Sequence, residues 1–216
     1  MRTRTRVLLA DDHKIILNGL RSLLEPEFEL VGKVEDGRAL VAAAEKLRPD
    51  VIVVDISMPL LNGIEAVRQI KKIDPRVKVV FLTMHPDVTY AVRAFEAGAS
   101  GYVLKHSASS ELLTAIHEAI KGRTYVTPMI AGELVQAYKG GTYRQAEAAQ
   151  QLSQRQREVL QLLVEGNSAK EVANLLNISS RTVEFHKYNM MAKLKLKSVS
   201  ALIQYAIKNG FASGEG

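Results

Sequence analysis

Three carboxylates, a hydroxyl and an ammonium recur at similar places in the first half of the 216-residue chain: Asp11 with Asp12, Asp55, Thr83 and Lys105. Each follows a short apolar run. Val7 to Ala10 precedes the acid pair, Val51 to Val54 precedes Asp55, Val77 to Leu82 precedes Thr83, and Tyr102 to Leu104 precedes Lys105. Clustered carboxylates repel one another unless a cation joins them. An oxygen-only donor set suits Mg2+, which keeps several waters and takes few protein ligands. An Asp can also act as the nucleophile toward a phosphoryl group. A Lys and a hydroxyl can then hold the phosphoryl oxygens as negative charge spreads over them. His13 stands beside the acid pair, but carboxylates already suffice for Mg2+, so His13 reads as a helix-start residue.

The five residues meet only if those runs are strands of one sheet. Strand-like runs at Val7 to Ala10, Leu30 to Val34, Val51 to Val54, Val77 to Leu82 and Tyr102 to Leu104 alternate with amphipathic stretches. The latter span His13 to Leu24, Ala39 to Leu47, Ile64 to Lys72, Val88 to Ala97 and Glu111 to Lys121. Such alternation predicts a doubly wound, five-stranded parallel sheet with helices on both faces. Continuous Val/Ile runs fit strands buried on both sides. In such sheets ligands bind beyond the carboxyl ends of the strands, where all five residues fall.

Residues 6 to 121 resemble a response-regulator receiver domain, of flavodoxin-like fold, through RVLLADDHKI, VVDISMPLLNG, VVFLTMH and GYVLKHS. The resemblance implies that Asp55 is the phospho-acceptor. It implies that Asp11, Asp12, Asp55 and the Ser57 carbonyl hold Mg2+, and that Thr83 and Lys105 bind the phosphoryl group. Tyr102 would be the aromatic switch partner of Thr83, turning into the space Thr83 vacates, while Pro59 and Gly63 shape the loop after the third strand. Ser57 and His85 occupy positions that tune dephosphorylation in the family, although solvated loop residues would look the same. One departure is His106, where many receivers have a proline; a cis bond there would cost about 3 kcal/mol and is not expected. A haloacid-dehalogenase-type phosphatase also uses an Asp nucleophile on an α/β sheet. That chemistry wants a second Asp as general acid where this chain has Ser57.

The second half reads differently. Residues 1–126 carry 18 Lys and Arg against 16 acids, whereas residues 152–213 carry 9 against 4, so the excess positive charge sits at the C-terminal end. Between them, Lys139-Gly-Gly-Thr142 and the run Gln145 to Gln151 read as a linker. The expected limits are a first domain at 1–125, a linker with partial helix at 126–151, and a second domain at 152–213. Ser153 with Gln156, and Ser168 with Glu171, form capping boxes; Gly166 suits a left-handed helix end. Four helices follow at 154–165, 169–176, 180–194 and 199–209. The turn Asn177-Ile178-Ser179 makes the middle pair a helix-turn-helix, whose second helix can enter the major groove. At 100° per residue, Val183, His186, Met190 and Leu194 share the core face. Arg181, Glu184, Phe185, Tyr188, Ala192 and Lys195 point away, with Lys187 near the boundary.

Leu152 to Phe211 resembles the LuxR-type DNA-binding domain through LSQRQREVL, VEGNSAKEVANLL, ISSRTVEFHKYNMMAKL and ALIQYAIKNGF. The whole chain is therefore similar to NarL/FixJ-type response regulators. The resemblance places DNA contacts at Glu184, Phe185 and Tyr188, with Lys170, Arg181, Lys187 and Lys193 toward phosphates. Glu184 is at odds with a phosphate-facing surface, since a carboxylate accepts from cytosine N4 but repels phosphate. Gln156 stands where the family usually has Glu. The last helix, with Val199, Leu202, Ile203, Ala206 and Ile207 in one stripe, reads as core, and the family also dimerises through it.

Composition narrows the field. With 47% apolar residues a core can form, and with no cysteine there is no disulfide scaffold, thiol catalysis or Cys-based zinc site. No apolar run approaches the ~18 residues of a membrane span. The basic start MRTRTR precedes only four apolar residues, too few for a secretory signal. The expectation is a cytoplasmic, non-enzymatic two-component transcription factor that uses Mg2+. Its partners would be a histidine kinase and double-stranded DNA, with a homodimer on the DNA. The alternatives are a constitutive DNA-binding regulator with an unphosphorylated receiver, and a receiver whose helical domain binds protein.

Overall fold

The computed structural model describes residues 4–139 and 152–211. The chain divides into two compact units between Gln136 and Ala137. The run 145–151 and Gly140 to Thr142 lie outside the described residues.

The first unit is built on strands β1 (Arg6–Ala10), β2 (Glu29–Val34), β3 (Val51–Val54), β4 (Lys78–Thr83), β5 (Gly101–Leu104) and β6 (Tyr125–Val126). Helices α1 (Lys14–Leu24), α2 (Gly37–Leu47), α3 (Gly63–Ile73), α4 (Val88–Glu96) and α5 (Ala108–Ile120) connect the first five strands and follow the fifth. The sheet order is β2-β1-β3-β4-β5-β6, with every neighbouring pair parallel. This is the doubly wound sheet expected, with a sixth strand at its edge.

One core layer sets Val7, Leu9, Val51, Val53, Val80, Leu82 and Val103 against Leu17, Leu20 and Leu24 of α1 and Leu112, Ile116 and Ala119 of α5. The intervening strand residues Leu8, Ile52, Phe81 and Tyr102 point the other way and are also fully buried. Burial on both faces explains why these strands read as continuous apolar runs rather than alternating ones.

The added strand β6 straddles the limit expected between first domain and linker, with Tyr125 on one side and Val126 on the other. Its pairing with β5 runs Gly101 with Tyr125 and Tyr102 with Val126. Helix α6 (Pro128–Lys139) follows, with Ile130 and Leu134 buried. Pro128 at its first position loses nothing, because the N–H there has no helical partner.

The second unit holds α7 (Gln154–Val164), α8 (Ala169–Leu176), α9 (Ser180–Lys193) and α10 (Val199–Lys208). Both capping boxes form, Ser153 with Gln156 and Ser168 with Glu171. Gln156 therefore completes its box without a carboxylate. Gly166 has φ +85°, the left-handed conformation its position requires. Asn177, at φ +52°, turns the chain between α8 and α9, and Ser179 caps α9 by accepting from the Thr182 N–H. Val159, Leu160, Leu162, Val172, Leu176, Val183, Met190, Leu202, Ala206 and Phe211 make one core. No helix among the described residues is long and apolar enough to cross a membrane.

Candidate functional site

Strand register assembles the first site. The Asp55 N–H donates to the Ala10 carbonyl at 2.9 Å, continuing the β1–β3 ladder by one residue. That step sets Asp55 beside Asp11, which is itself held by a 3.1 Å bond from its N–H to the Val34 carbonyl. Thr83 pairs with Leu104 in the β4–β5 ladder, so Lys105 leaves the sheet next to the end of β4. All five polar residues identified from the sequence thus lie at one edge of the sheet.

The side chains converge. Lys105 Nζ lies 2.6 Å from Asp55 Oδ2 and 2.7 Å from Asp11 Oδ2. The Asp55 Oδ1 accepts from the Ile56 N–H at 2.6 Å. Burial pushes the Asp55 carboxyl above the usual carboxylate range, against the pull of Lys105 and with a further push from Asp11. For Lys105, burial alone would lower the pKa, but Asp55 and Asp11 together raise it. The ammonium is therefore firmly charged, whereas the carboxylate opposite it is held at a cost.

The loop after β3 is packed tightly against this centre. A Cβ on Gly63 would stand 2.0 Å from the Asp55 carbonyl oxygen, so only glycine lets α3 start there. The Asn62 side chain caps α3 through the Glu65 N–H at 2.9 Å. The Gly63 N–H closes the loop on the Ile56 carbonyl, also at 2.9 Å, while Leu61 N–H bonds the Pro59 carbonyl at 2.8 Å.

Thr83 is fully buried, and its hydroxyl oxygen accepts from the His85 N–H at 3.3 Å. Tyr102 is also fully buried, and its hydroxyl donates to the His85 carbonyl at 2.8 Å. Its ring is thus already inside, rather than waiting to turn inward. Burial, and to a lesser extent Tyr90 and nearby carboxylates, hold its phenol well above the ordinary value. His85 Nε2 lies 2.7 Å from Ser57 Oγ, and its ring stacks on Tyr90 at 4.2 Å. Neither residue is a merely solvated loop side chain. The residue 28 positions away that meets Ser57 leaves no periodic signal in a sequence.

Asp11, Asp12, His13 and Asp55 bring ligand atoms within 4.8 Å of one another. Asp11 Oδ2 is buried and faces the Lys105 ammonium at 2.7 Å. A convergent set of three carboxylates, with hard oxygen donors, fits a divalent cation. His13 stands at the N-cap position of α1, as expected of a helix-start residue, but its side chain caps nothing there; its Nδ1 lies 2.7 Å from Asp12 Oδ1 and 3.3 Å from Asp11 Oδ1. It belongs to the pocket, which its helix-start position did not reveal.

The second site is the face of α9. Val183 and Met190 are buried, while Phe185 and Tyr188 are each 62% exposed, so the helical phase is the one expected. Arg181, Ala192, Lys170 on α8 and Lys193 are exposed. The helix ends at Lys193, and Lys195 takes φ +55° in the following turn, so Lys195 is not part of the helical face. Lys187 is the exception among the cations. Its side chain is only 14% exposed, and its Nζ lies 2.6 Å from Glu184 Oε2 and 5.2 Å above the Tyr188 ring. His186 is partly buried, and that burial, with Arg155 nearby, lowers its pKa.

A parallel α/β domain with an acidic pocket at its carboxyl edge, followed by a helix-turn-helix domain, is the make-up of a DNA-binding response regulator. Residues 7–117 match the response regulator receiver domain, and residues 150–206 match the bacterial regulatory proteins of the luxR family. The chain is 33% identical over 224 residues to the transcriptional regulatory protein DegU of Brevibacillus brevis, covering 96% of this chain and 95% of that one. RcsB of Salmonella enterica serovar Typhimurium, solved bound to a promoter in the presence of a phosphomimetic, is 31% identical with a TM-score of 0.62, over 94% of this chain and 98% of RcsB. A structure of two RcsB dimers bound to two parallel DNAs is 30% identical with a TM-score of 0.60, over 96% of this chain and 99% of that one. The chain belongs to the response regulators with a LuxR-type DNA-binding domain and is a two-component transcriptional regulator.

Proposed function

We propose that Asp55 is the phospho-acceptor and that its phosphorylation by a histidine kinase switches DNA binding. The observation that carries this reading is the buried Asp55 carboxylate held 2.6 Å from the Lys105 ammonium at the carboxyl end of β3. An Asp55 oxygen forms the new O–P bond as the N–P bond of the kinase phosphohistidine breaks and the imidazole departs. Lys105 balances charge on the phosphoryl oxygens, and positioning plus electrostatics supply the catalysis. The chain has no other enzymatic role in this reading.

The side chains of Asp11, Asp12 and Asp55, with the Ser57 carbonyl, would hold Mg2+. The ion supplies positive charge that relieves carboxylate repulsion and draws in the phosphoryl oxygens. Thr83 gives up the His85 N–H and turns its hydroxyl to the phosphoryl group. Because Tyr102 is already buried and bonded to His85, the change passes through the Thr83–His85–Tyr102 contacts without an inward swing of the ring.

The basic helical domain reads DNA through α9 as a homodimer in the cytoplasm. Its domain limits are 152–213, after a receiver at 1–125 and a connecting segment at 126–151. Phe185 and Tyr188 approach base edges, and Lys170, Arg181 and Lys193 approach phosphates. Lys187, expected as a fourth phosphate contact, has its ammonium engaged by Glu184 in this structure.

Labelling tests the central step. Wild-type protein incubated with radiolabelled acetyl phosphate and Mg2+ should take up acid-stable, hydroxylamine-sensitive label. Asp55→Asn should take up none, and EDTA should suppress the label in wild type. Undiminished labelling of Asp55→Asn would reject the acceptor, and equal labelling in EDTA would reject the metal.

A further inference from the structure

We propose that Glu184 reads a cytosine in the major groove, and that Lys187 is the positioning residue that makes this readout tolerable so close to phosphate. The inference rests on the reading of α9 as the DNA-contacting helix and deepens it.

A carboxylate on a DNA-facing helix is an anomaly. Set among phosphates it lowers affinity for every sequence, so an unpaired Glu184 would work against the basic domain that carries it. The structure resolves the anomaly. Lys187 sits one turn along the helix, and its Nζ meets Glu184 Oε2 at 2.6 Å. The two side chains differ sharply in exposure: that of Lys187 is 14% exposed, that of Glu184 is 37%. Most exposed ion pairs at this spacing form and break freely and contribute little. Here the lysine stem is packed along the helix, with its charge over the Tyr188 ring as well. An ammonium so placed is a poor phosphate ligand but a good anchor. It fixes the carboxylate in one orientation, offsets its charge, and leaves the second oxygen of Glu184 without a partner in this pair.

The chemistry of that oxygen names the base. A carboxylate only accepts hydrogen bonds, and major-groove edges offer donors only at cytosine N4 and adenine N6. Adenine carries its N7 acceptor beside N6, which repels the negatively charged carboxylate; cytosine has only a C–H there. Phe185 and Tyr188, exposed on the same face, supply apolar contact to flanking thymine methyl groups. The helix thus recognises its site by an acceptor and two aromatics, while the phosphate contacts come from Arg181 and Lys193 near its two ends and from Lys170 on α8.

The test is selection from random duplex DNA by the full chain, treated with acetyl phosphate and Mg2+, followed by titrations on the selected site and on random DNA. Wild type should enrich cytosine at one column of each half-site. Glu184→Ala should flatten that column alone and lower the preference for the selected site over random DNA by about tenfold. Glu184→Gln should move the column to adenine, whose N6 and N7 suit an amide. Lys187→Arg, which can still hold the carboxylate, should retain cytosine, with circular dichroism confirming that each variant folds. In the Glu184→Gln background, Lys187→Met should leave the salt slope on random DNA unchanged. A slope lower by about one unit would give Lys187 a phosphate of its own and overturn the positioning role. An unchanged cytosine column in Glu184→Ala and Glu184→Gln would overturn the readout while leaving the DNA-binding reading intact. Wild type that enriches no sequence, and binds random DNA without salt dependence, would overturn both.

Discussion

Asp55 must be ionised to act as a nucleophile, yet it lies where ionisation is disfavoured. Its folded pKa is raised above the ordinary carboxylate value, chiefly by burial. As pH climbs through that ordinary value the unfolded chain releases the proton first, while the folded chain still holds it. Stability credited to Asp55 is therefore complete below the unfolded pKa and is lost as pH rises through the folded one. Asp55→Asn removes the burden, and Lys105 keeps a carboxylate partner in Asp11 at 2.7 Å. Metal-free Asp55→Asn should melt higher than wild type at pH 7, and the gap should narrow as pH is lowered through the folded pKa of Asp55. Thermal unfolding at several pH values checks this; a lower melting temperature for the variant at pH 7 would mean that the ion pair with Lys105 outweighs desolvation. The residue scale also marks how far a sequence can be read. Asp11, Asp55, Thr83 and Lys105 were legible because each follows an apolar strand by one residue or ends it. The Ser57–His85 contact was not, because it joins loops 28 residues apart, and for Glu184 and Lys187 the i,i+3 spacing allows a pair but does not report the torsions that close it. For Lys187 the helical angle did place it at the core boundary, but not which partner it would choose.

At the scale of elements, the alternation of strands and helices was legible throughout, and the misses are at short or capped ends. Helix α2 starts at Gly37, two residues before the expected Ala39, because the Asp36 carboxylate accepts from the Ala39 N–H at 2.8 Å. Helix α5 starts at Ala108 rather than Glu111, because a 3-10 turn over Lys105–Ser107 leads straight into it. Strand β6 has only two residues, too few to show a period, and its stability comes from bonds no local pattern predicts. Thr127, just beyond it, is buried and knits three segments. Its N–H donates to the Tyr102 carbonyl at 3.0 Å, and its hydroxyl accepts from the Leu104 N–H at 3.2 Å and donates to Glu111 at 2.6 Å. These bonds flank Lys105 on the strand side, so β6 is stitched to the strand that carries the pocket lysine. Thr127→Val keeps the shape but strands a buried N–H and a carboxylate, and should cost about 1–3 kcal/mol in denaturant unfolding. Thr127→Ser keeps the hydroxyl and loses one methyl, so its cost should be nearer ~0.8 kcal/mol. Equal losses for the two variants would show that packing, not the hydrogen-bonded hydroxyl, holds β6.

For the whole molecule, charge is divided as function is. The first 126 residues are nearly balanced, with 18 basic and 16 acidic residues, and the excess of cations lies in the helical unit. Affinity for random DNA therefore comes from the second unit, while the phosphorylation chemistry proposed here belongs to the first. A phosphoryl group on Asp55 adds no contact to DNA, so it can tighten binding only by changing how protomers or units are presented. If it does so by pairing two protomers, the second DNA contact becomes intramolecular, and its gain depends on a second half-site being present. Acetyl phosphate with Mg2+ should then tighten binding to a duplex with two half-sites by tenfold or more, with little change on a duplex carrying one. Asp55→Asn should respond to neither. The salt slope measured on the single half-site should stay the same with and without phosphorylation, because the same cations meet the same phosphates. Fluorescence-anisotropy titrations on the two duplexes, at several salt concentrations, decide the matter. Equal tightening on both duplexes would mean that phosphorylation frees a binding face within each protomer rather than joining two of them. A response retained in Asp55→Asn would place the switch outside this pocket.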